Sequence, residues 1–386
     1  MIKGAPARIL HVLAGMNRGG VETWLMHVLR NIDQNRYQFD FLTTTKQTCA
    51  YDDELREMGC KIIPCLKPSN PLQYGRNFKR LVRESGPYDI LHSHVHHFSG
   101  FVCLLGKHAG IPMRIAHSHN DTRLKETRAG FMRRMYLRNT QRMIFKYATH
   151  GVACSGLAAE DLFGGEWESD ERWKLLYCAV DLLPFKAHVD KAEVRAEFGF
   201  PPDAFVLGHV GRFATQKNHS FLIDIIAEAV RKEPKCRAFL VGDGPLRPTI
   251  ESKVHALGLN KHVVFAGQRA DIPRLMKGAM DAFVFPSHHE GLGLVLIEAQ
   301  AAGIPCFASD RVPSEAAVVN QAVKFIGLYK MAEHWADLVL SSKQDKSSIT
   351  TEESLKQLMD SPFSINNSVS ALCSLYDSQT NHRIGN

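Results

Sequence analysis

No uninterrupted apolar run in the chain is long enough to span a bilayer, so an integral helical membrane protein is not expected. Paired cysteines are missing as well. Nine cysteines stand singly with no Cys-x-x-Cys among them, which argues against a disulfide scaffold and fits a reducing cytoplasm. The opening MIKGAPARILHVLAGMNRGG has early cations, but its apolar stretch is short, is broken by His11 and leads into a glycine loop. It makes a poor secretion signal and a good first strand. Charge of one sign is scarce too: +7 over 386 residues permits an anionic substrate or a membrane surface without implying nucleic acid. Neither His-Glu-x-x-His nor Gly-x-Gly-x-x-Gly occurs, so a zinc-protease helix and a dinucleotide fingerprint are not met.

What is present is an alternation of short apolar runs with helical patterns. RILHVL, FDFLTT, CKIIPC, YDILHSH, MRIAHSH and THGVACS read as strands, with VETWLMHVLRNI, YDDELREMG and FVCLLGKHAG as helices among them. The same grammar restarts with FVLGHVGRF and continues through HSFLIDIIAEAVRKEP, CRAFLVGDG, HVVFAGQ, DAFVFPS and PCFAS. Strands alternating with helices imply right-handed crossovers and parallel sheets. The length suits two α/β domains, here expected at 1–183 and 184–363, with 364–386 as a separate C-terminal segment. Residues after 345 read as polar linkers and helices, with a disordered extreme end. Ligands of open α/β sheets bind beyond the carboxyl ends of the strands, so a cleft between two such domains is the expected site.

Four stretches carry candidate chemistry. In LAGMNRGGVET, Gly19 and Gly20 stand where a strand turns into a helix; such a turn favours a phosphate, although a plain tight turn explains it equally well. In GHVGRFATQKNHSFLI, Arg212 and Lys217 sit five residues apart in a loop after a strand. A planar guanidinium fork and an ammonium point charge can hold a diphosphate between them. Histidines crowd LHSHVHH and IAHSHND. If extended, His92, His94 and His96 share one side of a strand and His117 and His119 one side of the next. A zinc site and a metal-dependent hydrolase are open alternatives here, against polar ligands, acid groups or satisfied core residues.

The fourth is SHHEGLGLVLIEAQAAGIP, with Glu290 and Glu298 eight positions apart. At about 100° per residue they fall roughly 80° off a common helix face. Glu290 therefore belongs to a loop shaped by Gly291 and Gly293, and a helix starts near Leu294 with Glu298 in its first turns. Paired glutamates suggest a glycosidase, but the cations upstream suit a phosphate. A ligand with sugar hydroxyls, a diphosphate and a ribose uses all of these groups, and that ligand is a nucleotide sugar.

The pieces HSHN, GRFATQKN, LVGDGPLRPTIE, VVFAGQRADIPRLM and FPSHHEGLGLVLIEAQAAGIP, with the Gly19-Gly20 loop, run in order across nearly the whole chain. In that order they resemble the retaining glycosyltransferases of the large fourth family, and most of all its bacterial capsule and exopolysaccharide members. The resemblance implies the GT-B fold: two Rossmann-like doubly wound domains facing a central cleft. It implies an acceptor-side first domain, a donor-side second domain and a C-terminal segment that crosses back. It also implies roles. Arg212 and Lys217 hold the donor diphosphate, and Glu290, with Gly291, Leu292 and Gly293, holds the donor sugar. Glu298 takes the ribose, Gln268 and Arg269 lie by the base, and His117, with His119 as rival, faces the reaction. No Asp-x-Asp is present, and retention without a metal or other cofactor is implied. The family's Asn-Gly-Val-Asp appears as Cys178-Ala179-Val180-Asp181, and Gly293 replaces a bulkier residue, which bears on the donor sugar.

The expected partners are thus a nucleotide sugar, most simply a UDP-sugar, and a glycan or lipid-linked acceptor, with no nucleic acid. A basic amphipathic stretch at 122–150 suits peripheral contact with anionic membrane on the cytoplasmic side, or an ordinary solvated face. A nucleotide-sugar hydrolase or epimerase on the same frame remains the enzymatic alternative.

Overall fold

The computed structural model describes residues 5–66, 68–127, 129–343 and 350–381. The expected disordered end and much of the polar linker, 382–386 and 344–349, lie outside the described residues. The chain divides into two units, Met1–Ala179 with Ile365–Asn386, and Val180–Ser364.

The first unit is built on seven strands: β1 (Ala7–Leu13), β2 (Tyr37–Thr43), β3 (Lys61–Pro64), β4 (Ile90–Ser93), β5 (Met113–Ser118), β6 (His150–Ala153) and β7 (Trp173–Leu175). They form one sheet in the order β3-β2-β1-β4-β5-β6-β7, parallel throughout. The chain therefore winds outward from β1 to one edge, returns beside β1, and winds to the other edge. Helices on the faces bury the strands, so these read as near-continuous apolar runs. Tyr74, Phe78 and Val82, one helical turn apart on Pro71–Ser85, pack on Leu10, Val12, Leu42 and Leu91. Asn70 caps that helix through the Gln73 amide, and Pro71 starts it.

The second unit repeats the plan with six strands: β8 (Phe205–Val210), β9 (Cys236–Val241), β10 (Val263–Gly267), β11 (Ala282–Phe285), β12 (Cys306–Ser309) and β13 (Val323–Ile326). Their order is β10-β9-β8-β11-β12-β13, again all parallel. Leu222, Ile223, Ile225 and Ile226 of helix His219–Lys232 join Leu207, Leu240, Val284 and Trp335 in its core. In each sheet the direction of winding reverses once, between β1 and β4 and between β8 and β11. Diverging connections leave a crevice at that reversal, and this is where such sheets hold ligands.

One expectation fails locally. His96 does not continue the strand face of His92 and His94, because β4 ends at Ser93. His96 begins a short 3-10 turn with φ of 50° and instead meets Asp161 through Nε2 at 3.2 Å.

Candidate active site

In the second unit the loops that follow β8 and β11 interlock at the reversal of the sheet. The Lys217 ammonium donates to Glu290 Oε1 at 2.7 Å and lies 4.6 Å over the Phe285 ring. Gln216 Nε2 donates to Glu290 Oε2 at 3.2 Å and to the His289 carbonyl at 3.0 Å. In return the His288 amide donates to the Gln216 carbonyl at 2.8 Å. Asn218, at a left-handed φ of 53°, closes the set by donating to the Pro286 carbonyl at 3.1 Å, and the next residue opens helix His219–Lys232. The Glu290 residue is only 6% exposed, so its carboxylate depends on these donors rather than on water.

Glycine makes the close approach possible. A Cβ on Gly242, which has φ of 132°, would collide with the Gly211 carbonyl in the loop after β8. Gly293 takes φ of 92° to turn the chain into helix Leu294–Ala301, and a Cβ there would sit 3.3 Å from Phe285 and Val312. Gly291 and Leu292 are buried beside it. Glu298 lies half-buried in that helix. Loss of water raises its carboxyl to about 7, against the opposing pull of Lys217.

The remaining expected residues of this unit surround that pair less tightly. Arg212 is exposed just past the end of β8, and its guanidinium has no partner among the described residues. Gln268 is exposed immediately after β10. Arg269, next to it, is bound to Asp271 by two hydrogen bonds of 2.8 Å and reaches Glu197 at 3.3 Å. Of the expected donor residues, the structure thus brings Lys217 and Glu290 into direct contact. Gln216, which sequence reasoning did not single out, joins them. Its only signal was its place beside Lys217.

In the first unit the corresponding reversal carries histidines. Gly19 stands before helix Gly20–Asn31, past the end of β1. His11 of β1, His92 and His94 at β4, and His117 and His119 at β5 form one layer of rings against Trp24. Two hydrogen-bonded chains run through it. One links Tyr376 hydroxyl to His92 Nδ1 at 2.8 Å and His92 Nε2 to His117 Nδ1 at 3.0 Å. The other links Cys178 Sγ to His119 at 3.4 Å, His119 to His94 at 2.8 Å, and His94 to His11 at 3.0 Å. Burial holds His11 neutral down to about 3 and holds the other four well below the usual imidazole range, helped by mutual repulsion. His117 is fully buried, whereas His119 is half-buried.

Among the described residues, His11–His92–His94, His94–His117–His119 and His96–His97–Asp161 each bring ligand atoms within 4.8 Å of one another. In the layer, however, both ring nitrogens of His92, His94 and His119 are bonded to neighbouring side chains, leaving His11 Nε2 and His117 Nε2 unpartnered among the described residues, and His117 stacks on His119 at 3.8 Å. Three imidazoles radiating onto one tetrahedral ion would have to break those bonds and stacks. The layer is better satisfied as a hydrogen-bonded wall than as a metal cage. His11, Cys178 and Tyr376 were not anticipated in it: His11 reads as a flaw in an apolar run, and nothing in sequence joins Tyr376 to His92, 284 positions away.

Residues 18–182 match the family described as Glycosyltransferase Family 4, and residues 190–357 match Glycosyl transferases group 1. The chain is 37% identical over 335 residues to the glycosyltransferase-named EpsF of Bacillus subtilis (strain 168), covering 86% of each protein. It is 26% identical over 381 residues to the capsular polysaccharide biosynthesis glycosyltransferase CapH of Staphylococcus aureus, covering 97% of this chain and 99% of CapH. Its fold matches the crystal structure of Anabaena HepE in complex with UDP-glucose, with a TM-score of 0.79 at 20% identity over 96% of this chain and 99% of that one. The chain belongs to the group 1, family 4 glycosyltransferases and has their GT-B fold.

Proposed function

We propose that the protein is a retaining glycosyltransferase that moves a sugar from a UDP-sugar to a glycan or lipid-linked acceptor in cell-surface polysaccharide synthesis, without a required metal. The observation that carries this reading is the Lys217–Glu290 contact of 2.7 Å at the β8/β11 reversal, a cation and a carboxylate held together where the sheet changes its winding. Residues 184–363 serve the donor, residues 1–183 the acceptor, and 364–386 return to the first domain. Arg212 and Lys217 take the diphosphate, and Glu290 with Gly291, Leu292 and Gly293 takes the sugar hydroxyls. Glu298 takes the ribose, with Gln268 and Arg269 by the base. His117, whose Nε2 has no partner among the described residues, faces the reaction; its rival His119 has both ring nitrogens engaged, by His94 and Cys178. Gly19 and Gly20 let the first domain's loop approach the donor.

Cations and backbone amides at the diphosphate offset the charge that grows there as the glycosidic bond breaks, the largest single source of catalysis in such a step. In a front-face displacement the leaving phosphate oxygen accepts the acceptor's proton. The capsular role named for CapH and the UDP-glucose bound to HepE support the substrate classes. The test is a thermal-shift panel of UDP, GDP, ADP and their sugar conjugates, each with and without EDTA. A shift with one nucleotide that survives EDTA supports the reading. No shift with any nucleotide, joined to a loss of stability in EDTA, overturns it.

Helix Phe131–Tyr147 supports a membrane-held acceptor on the cytoplasmic face. Phe131 and Met132 are 77% and 69% exposed, and a groove of about 390 Å³ lies along Phe131, Arg134, Met135, Arg138, Asn139 and Arg142. Apolar side chains to insert and arginines to meet phosphates are what peripheral binding needs. No helix among the described residues is long and apolar enough to cross a membrane. Salt-sensitive binding to vesicles containing phosphatidylglycerol is expected; its absence removes the membrane role.

A further inference from the structure

Gln216 belongs to none of the roles above, yet its side chain ties the two site loops together. Glu290 is gripped at both oxygens, by the Lys217 ammonium at 2.7 Å and by the Gln216 amide at 3.2 Å. The same amide is anchored on the His289 carbonyl at 3.0 Å, and the Gln216 backbone carbonyl accepts from His288 at 2.8 Å. These two grips respond differently to a ligand. A diphosphate competes with Glu290 for the ammonium, because it is the more highly charged anion. The amide is neutral and bonded to protein on its other side, so a diphosphate does not recruit it.

We propose that Gln216 is the positioning residue that keeps the Glu290 carboxylate aimed at the donor sugar while Lys217 turns its charge to the diphosphate. This role rests on the donor-site assignment proposed above. Glu290 then meets the sugar and never the nucleotide, so loss of Gln216 weakens binding of the sugar conjugate and spares the nucleotide. A plain structural role would weaken both together.

The experiment compares wild type, Gln216→Met and Gln216→Glu by calorimetric titration with UDP and with UDP-glucose, and thermal unfolding of each variant reports folding. A neutral donor to a charged acceptor contributes enough that roughly ten- to hundredfold weaker UDP-glucose binding is expected in Gln216→Met, with UDP affinity held within about twofold. Gln216→Glu should lose more, since a second carboxylate would face Glu290. Equal losses for UDP and UDP-glucose, or no loss for either, overturn the role of Gln216. Failure of the wild type to bind any nucleotide or nucleotide sugar overturns the donor-site assignment first, and the role of Gln216 with it.

Discussion

Replacing Glu298 by glutamine keeps its shape and removes its titration. In the folded protein loss of water lifts this carboxyl from an ordinary 4.5 to about 7. Between those two values the folded chain holds a proton that the unfolded chain has released. Stability therefore falls as pH rises through that window, and the penalty is complete above about 7. A displacement of that size corresponds to about 3 kcal/mol. Glu298 is only half-buried, so water screens part of it, and a difference of about 1–3 kcal/mol is expected. Urea unfolding followed by circular dichroism at intervals from pH 4.5 to 8 would show the two proteins alike at the acid end. The glutamine variant should become progressively the more stable toward pH 8. Parallel curves, or a gap that widens toward acid, would refute the argument that an isolated carboxyl is held out of water there.

Three further outcomes are expected. Lys217→Ala and Glu290→Ala should each lower transfer by about a hundredfold or more, given what one preorganised charge contributes, with the circular dichroism spectrum retained; near-normal turnover in either sinks the site. Tyr376→Phe leaves the buried His92 Nδ1 without its 2.8 Å partner and should cost about 1–3 kcal/mol in denaturant unfolding. A cost near zero would mean that the hydroxyl contact contributes nothing net. The neutral histidine layer makes the fold acid-labile: unfolded imidazoles take protons below about 6.5, while His11 refuses one until about 3, so stability present above 6.5 is lost as pH falls. Unfolding in the Glu298→Gln background at pH 4.5 and 7.5 reads this loss together with that from His97, His150, His209, His219 and His288, which burial also holds below the usual imidazole range, and equal stability at the two values excludes it.

Much of the architecture was legible because parallel strands buried on both faces leave apolar runs that period alone exposes. RILHVL, MRIAHSH and DAFVFPS are such runs, and the Gly-Leu-Gly step before Leu294 marked its helix start. Helix Pro71–Ser85 escaped notice because its buried face is only Tyr74, Phe78 and Val82 amid Arg and Lys. The edge strand β7 is only three residues long, and β13 has Lys324 and Phe325 exposed among its four, so neither leaves a buried apolar run to read. Within the site, Lys217 and Glu290 were identifiable singly, but their contact spans 73 positions and exists only because the sheet reverses between β8 and β11. Gln216 was silent for the same reason. A glutamine in a loop is unremarkable until the opposite loop is known.

The return of the chain to its first unit dictates an order of assembly. Val180–Ser364 is continuous, so everything it needs emerges from the ribosome in one stretch. The first unit waits. Trp24 donates to Ser368 at 3.1 Å, 344 residues later, and Arg36 and Tyr37 await Asp377. During synthesis the second unit can finish while the earlier half still exposes the face that helix Ile365–Asn381 will cover. Truncation near the C-terminus would therefore injure the start of the protein and spare its middle.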